Sequence, residues 1–163
     1  MADQLFEERD FYRAQRYYHA ARLEAPFTRR GDLWAAVQWA WSIKMQERPF
    51  TSEQRKAMRS ALERAAFLAH DPAIEPAFID FVQGQLHHLL EEHDPALSHL
   101  ERAFLNVDFR RKYVMSLFYA LATELVRAGR LDDARRYARV AGEVNDRTPF
   151  FLQLVEELSP DGS

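Results

Sequence analysis

The alanines of this sequence recur in register. Ala65 lies in "ALERAAFLAHD" and Ala103 in the near-copy "HLERAFLNVD". The same interval taken on from Ala103 reaches Ala141, and Ala21 holds the matching place upstream in "FYRAQRYYHAARLEAP". Two helical turns before these stand Ala14, Met58, Ala96 and Ala134, and one turn before them Tyr18, Leu62, Leu100 and Ala138. Apolar columns at that spacing share one face of a helix. A common step forward from Ala21, Ala65 and Ala103 reaches Ala40, Gly84 and Ala122, all small. Small residues let one helix backbone approach another, where a large side chain would cost roughly 1–3 kcal/mol of overpacking. A chain that repeats such a seam is constrained to stacked helix pairs, because each pair has an apolar face that only its neighbour covers.

Strand-like alternation between hairpin turns is missing, and most of the 5 glycines and 7 prolines separate apolar-periodic segments, so the fold class is all-α. The periodicity predicts helices over about 4–24, 30–46, 51–69, 75–92, from 94 into the 100s, 111–128, 131–143 and 148–158. Thr51 followed by Gln54 reads as a capping box. Pro95 and Pro149 suit first helical positions, and Gly129 suits the residue just past a helix end. These segments give one domain over 1–158, with hairpins at 1–25 (partial), 30–70, 75–106 and 110–145, a capping helix at 148–158 and a disordered tail at 159–163.

The pattern resembles the tetratricopeptide repeat, a helical hairpin with an apolar pair and a small residue on its first helix and alanines on its second. Phe118, Leu121, Ala122 and Leu125, then "GRLDDA", then Ala134, Ala138 and Ala141 carry the best copy. Gly84, Ala96, Leu100 and Ala103 carry another, although Asp80, Gln83 and His87 stand where apolar residues belong. Ala36, Trp39, Ala40 and Ile43 begin a third, lengthened around "ERPFTS". The intervals exceed the ~34 residues of the family, so the likeness is to a tetratricopeptide-like right-handed stack of antiparallel hairpins, an α-solenoid.

The resemblance implies that the first helix of each hairpin lines a concave groove that takes a partner's peptide or helix. In this register the groove receives Trp34, Val37, Trp41 and Lys44 from one hairpin. The next supplies Phe78, Phe81, Gln85 and His88, and the last Ser116, Tyr119, Thr123 and Arg127. Aromatic residues and arginine dominate binding energy in interfaces. The rival reading makes the aromatics core filler, and Phe78 and Phe81 lean that way. Lys44 and Arg127 come without asparagines, so a carboxylate clamp is not expected and an apolar or amphipathic ligand is.

Other classes are disfavoured. A net charge of −3 gives no whole-surface attraction to nucleic acid or anionic lipid. The basic runs Arg29–Arg30 and Arg110–Lys112, with Arg127, Arg130, Arg135, Arg136 and Arg139, are interspersed with acids and read as solvated faces. The absence of cysteine rules out disulfides and thiolate zinc, and a cytoplasmic setting is the simplest reading. "MADQLFEERD" lacks the apolar run of a secretory signal, and no stretch nears the ~20 apolar residues of a membrane span. His87, His88, His93 and His99 cluster without a metal-binding signature, and His87 with Glu91 lacks a marked nucleophile. Phosphate-loop and dinucleotide motifs are absent. The expectation is a small cytoplasmic, bacterial, non-enzymatic adaptor or chaperone-like protein, without cofactor or metal. Its partner would be a protein or peptide; a homodimer using Phe6, Phe11, Tyr12 or the aromatic surface is the alternative.

Overall fold

The computed structural model describes residues 29–143 and 146–159. Among them the chain forms helices and no strand: α1 (Arg29–Lys44), α2 (Ser52–Leu68), α3 (Pro76–Leu89), α4 (His93–Leu105), α5 (Val107–Arg127), α6 (Leu131–Glu143) and α7 (Thr148–Leu158). The partial hairpin expected at 1–25, with Phe6, Phe11 and Tyr12, and the tail from 160 onward lie outside the described residues.

Local chemistry sets the helix ends. At the start of α2 the Gln54 amide donates to Thr51 Oγ1 (3.1 Å) and the Thr51 amide donates to Gln54 Oε1 (2.8 Å), completing the capping box. At the end of α5 the Gly129 amide donates to the Val126 carbonyl (3.0 Å) and the Arg130 amide to that of Leu125 (2.8 Å). Gly129 sits at φ 76°, the left-handed conformation that this double closure needs.

Several boundaries differ from the periodicity, three of them with a local cause. α3 stops at Leu89 rather than near 92, because Glu91 adopts φ 61° and closes the helix in the same double manner without a glycine. α4 begins at His93, which puts Pro95 two residues deeper than the first helical position, still within the turn that needs no amide donor. α5 begins at Val107 rather than near 111, since Asn106 accepts from the Phe109 amide (2.9 Å) and caps an extra turn. That turn buries Phe109, and the backbone leaves helical geometry at Tyr113 (φ −126°, ψ 19°) where it joins the expected helix.

Packing is between helices close in the chain. Each helix lies against its sequence neighbours, and α1, α3, α5 and α7 also form a row, successive members approaching within 8 Å between Cα atoms. Among the described residues no closer pairing links helices further apart in sequence, and the backbones of α2, α4 and α6 do not approach one another. Long side chains bridge them instead. Tyr137 of α6 packs at a tilt on Phe104 of α4 (4.9 Å between ring centroids) and donates to Glu101 (2.7 Å). Arg130 donates to both oxygens of Glu101 (2.9 Å each), which with Tyr137 holds that carboxyl below its usual value against the opposing effect of burial.

The columns of small residues are the seam. Ala40, Ala65, Ala103, Ala122 and Ala141 are fully buried, as are Ala96, Ala134 and Ala138, and one continuous core runs from Leu33 to Val155. At Gly84 an added Cβ would lie 2.6 Å from Leu100 Cγ and 3.0 Å from its amide nitrogen. At Gly142, near the end of α6, an added Cβ would collide with the Thr148 backbone at the start of α7. Gly129, by contrast, has open space around it. Gly129→Ala is therefore expected to cost about 1–2 kcal/mol through backbone strain alone. Gly142→Ala should cost roughly 1–3 kcal/mol by forcing α7 away from α6. Urea unfolding of the two variants checks this, with loss of α7 packing (Phe151 on Phe118, 5.0 Å between ring centroids) confined to Gly142→Ala.

Candidate functional site

A surface pocket of about 260 Å³ opens on the row of odd-numbered helices. α1 contributes Trp34, Val37, Gln38 and Trp41, with Met45 just past its end; α3 contributes Phe81 and Gln85, and α5 contributes Ser116 and Tyr119. Helical spacing explains the set: Trp34, Trp41 and Met45 stand about two turns and one turn apart, so they share a face. Tyr119 (45% exposed) and Met45 (51% exposed) stand at the pocket's edge, and Val37 and Phe81 are buried beneath.

The aromatic walls are held by one another. Trp34 stacks on Phe81 (5.6 Å between centroids), which also packs on Phe109 and Tyr113. Trp41 meets Tyr119 edge-on (6.2 Å) and His88 at a tilt (5.8 Å). One polar residue fixes the three helices in register. Gln85 is 1% exposed; its Oε1 accepts from Trp41 Nε1 (2.9 Å) and its Nε2 donates to the Ser116 carbonyl (2.8 Å). A buried amide must satisfy both ends, and here doing so ties α1 to α5 through α3.

Behind the pocket lies a second polar insertion. Glu124 of α5 is 2% exposed, and it faces His88 Nδ1 (2.7 Å) and His93 Nδ1 (3.0 Å) on separate helices. Burial alone would push its carboxyl up. The hydrogen bonds from both histidines, with the charge they carry when protonated, outweigh that and hold it below the ordinary carboxylate value. A third cluster occupies the α3–α4 surface. His99 Nδ1 lies 2.8 Å from Asp80, His87 Nδ1 lies 3.0 Å from Glu92, and the two rings stack at 5.8 Å. Asp80 and His87 thus fill apolar places of the repeat by pairing across the hairpin. Among the described residues no group of three histidines or carboxylates is arranged to hold a metal ion.

The expected groove residues divide. Trp34, Val37, Trp41, Phe81, Gln85, Ser116 and Tyr119 come together in the pocket. Phe78, a fully buried core residue against Phe81, does not line it. Lys44 and Arg127 are exposed outside it at the ends of α1 and α5. His88 supports the far side of Trp41 while bound to Glu124, and Thr123 turns its hydroxyl back to the Tyr119 carbonyl (2.8 Å). Gln38 and Met45 line the pocket without having been anticipated; both stand one turn from a predicted residue, Gln38 from Trp34 and Trp41, Met45 from Trp41. The arginines 130, 135 and 136 are bound to Asp133, Glu101 and Glu156, and Arg110 donates to the Phe104 carbonyl (2.7 Å), so they form no free basic stripe.

No family model, no curated protein and no solved structure matches this chain. Among the described residues no helix is long and apolar enough to cross a membrane.

Glu124 has its pKa lowered by folding, so its contribution is present above the unfolded value of about 4.3 and disappears as pH falls through the lower folded value. Glu124→Gln is expected to lose about 2 kcal/mol at neutral pH. It should also flatten the fall in stability below about pH 4.3. Denaturant unfolding across pH, compared with the parent chain, measures both.

Proposed function

We propose that this chain is a tetratricopeptide-like helical-repeat protein whose odd-numbered helices form a concave wall that holds a peptide or helix from a partner protein. One observation carries the reading. Aromatic and thioether side chains from α1, α3 and α5 converge on a single open pocket, and Tyr119 and Met45 remain half exposed there. Core filler would be covered. Large rigid aromatics beside a flexible methionine, standing uncovered at a concave site, are what interfaces use for anchoring and adaptation.

The stacked reading has its own support. Helix neighbours in space are neighbours in sequence, or next but one, which is the pattern of a linear repeat rather than of a bundle around a centre. The odd-numbered row is close-packed while the even-numbered row is spaced by Tyr137, Phe104 and Arg130, and that inequality curves a stack toward the odd-numbered side. The role is that of a non-enzymatic adaptor or chaperone-like protein of the bacterial cytoplasm, working by capture alone and needing no cofactor.

A second reading, self-association, draws on a different surface. Phe67 (77% exposed) and Leu105 (57% exposed) occupy equivalent places in the repeat, at the ends of α2 and α4, with Val107 beside the latter. Two repeat-related apolar residues on one edge suit a copy-to-copy contact.

Trp41→Ala and Tyr119→Ala should each weaken partner capture about tenfold or more, as central anchors do. The helical circular dichroism should stay unchanged, and an unchanged partner list from affinity purification would count against the pocket. Light scattering separates the second reading: a dimer that Phe67→Glu with Leu105→Glu converts to monomer would establish it.

A further inference from the structure

We infer that His88, held by Glu124 against the back of Trp41, makes the pocket proton-sensitive, so that it binds its occupant more tightly in mild acid than in mild alkali. The inference concerns regulation of the pocket and rests on the interaction-module reading above. No Asp, Glu, His, Lys or Arg lines the pocket, so a charge that depends on pH acts on it only from behind the wall. Histidine is the side chain that changes charge between about pH 8 and 5. His88 stands in that place. Its ring lies 5.8 Å from that of Trp41, within the ~6 Å at which an aromatic ring attracts a cation.

Glu124 sets where the proton goes and what it does. The carboxyl is held below its ordinary range, so it stays ionised across that window. An ionised carboxylate only accepts, so His88 Nδ1 (2.7 Å) and His93 Nδ1 (3.0 Å) carry hydrogens and donate to it. Nε2 is then the atom that takes up a proton. Protonation breaks no hydrogen bond and turns a neutral one into a charge-assisted one. The His88 side chain is 12% exposed against 34% for His93, so its imidazolium is kept beside the indole rather than released to water. Trp41 is then held by His88, by Gln85 Oε1 (2.9 Å) and by the edge of Tyr119 (6.2 Å). A wall fixed before the ligand arrives has less freedom to lose on binding.

Other charges on the helices packed against His88 are engaged elsewhere or face water. Arg59 of α2 binds both oxygens of Glu92 (3.0 and 2.8 Å), which also meets His87. Glu53, Arg55 and Lys56 at the start of α2 are exposed. So are Lys44 on α1, Glu91 after α3, Asp94 on α4 and Arg127 on α5, and none of them makes an ion pair with the cluster. Farther along the same helices Arg64 is paired with Asp32, and His99 and Arg102 with Asp80.

The test uses the full chain. Heteronuclear NMR follows the Trp41 indole proton, identified by its loss in Trp41→Phe, and gives its protection from solvent exchange relative to the intrinsic rate. Protection is expected to rise about three- to tenfold as the His88 Cε1–H signal titrates. His88→Gln still donates to Glu124 but takes up no proton and should lose the rise, while His93→Gln keeps it. An uncharged probe reads the pocket: an end-blocked amphipathic helix of about 18 residues with a Leu/Phe stripe and Gln at its polar positions. It should bind the parent chain about three- to tenfold tighter near pH 5.5 than near pH 8, and bind His88→Gln equally at both. Binding that is flat with pH, or that tightens alike in His88→Gln, overturns the switch and leaves the pocket standing. Binding of the probe at neither pH overturns the interaction-module reading, and the protection profile then decides by itself whether His88 holds the wall.

Discussion

Helix backbones can approach only as far as the side chains between them allow, and in this chain alanine and glycine set that limit. Ala40, Gly84 and Ala122 lie on the row of odd-numbered helices, and Ala65, Ala103 and Ala141 on the helices that back it. Leu100 occupies the space a Cβ on Gly84 would need, so the third and fourth helices interlock at the point where the side chain is missing. Everything else depends on that approach. It brings Trp41, Gln85 and Ser116 within one hydrogen-bonded chain, and it gives Trp34 and Phe81 their stacking distance.

Close packing of apolar surfaces is tolerant of sliding, because dispersion has little direction. Directional groups remove that freedom. Gln85 and Glu124 are buried at the same seam and each has partners on two other segments, so a shift of any one helix would leave a polar atom unpaired. The aromatic wall of the pocket is therefore built on a frame fixed by two polar residues. That frame lets Tyr119 and Met45 stay uncovered without the wall collapsing over them. On the opposite side, Glu101 gathers Arg130 and Tyr137 and spaces the fourth helix from the sixth.

Much of this arrangement is legible in the sequence, because helical periodicity and small-residue register are local signals. The capping box at Thr51, the glycine closure at Gly129 and the burial of every alanine in the described columns follow from them. So does the convergence of Trp34, Trp41, Phe81, Gln85 and Tyr119, since residues a turn or two apart share a face. What is not legible depends on partners distant in sequence. Glu124 looks like a surface acid until His88 and His93 are brought to it. Gly142 carries no sign that Thr148 will lie on its Cα. Phe78 reads as a possible groove residue because its neighbour Phe81 is one, yet it points into the core. Lys44 and Arg127 extend past the pocket because their stripes run on beyond its last turn. The extra turn that starts the fifth helix was hidden by the break at Tyr113, which no periodicity records.

The linear stack is the claim most open to direct measurement, and a chain with no native cysteine allows clean placement of spin labels. Ser60, Ser98 and Arg136 are exposed, repeat-equivalent positions on the second, fourth and sixth helices. Pulsed electron-spin distances between cysteines introduced there in pairs should show 60 to 136 approaching about twice the distance of either adjacent pair. Three comparable distances would mean helices gathered round one axis, and the concave wall would have no basis.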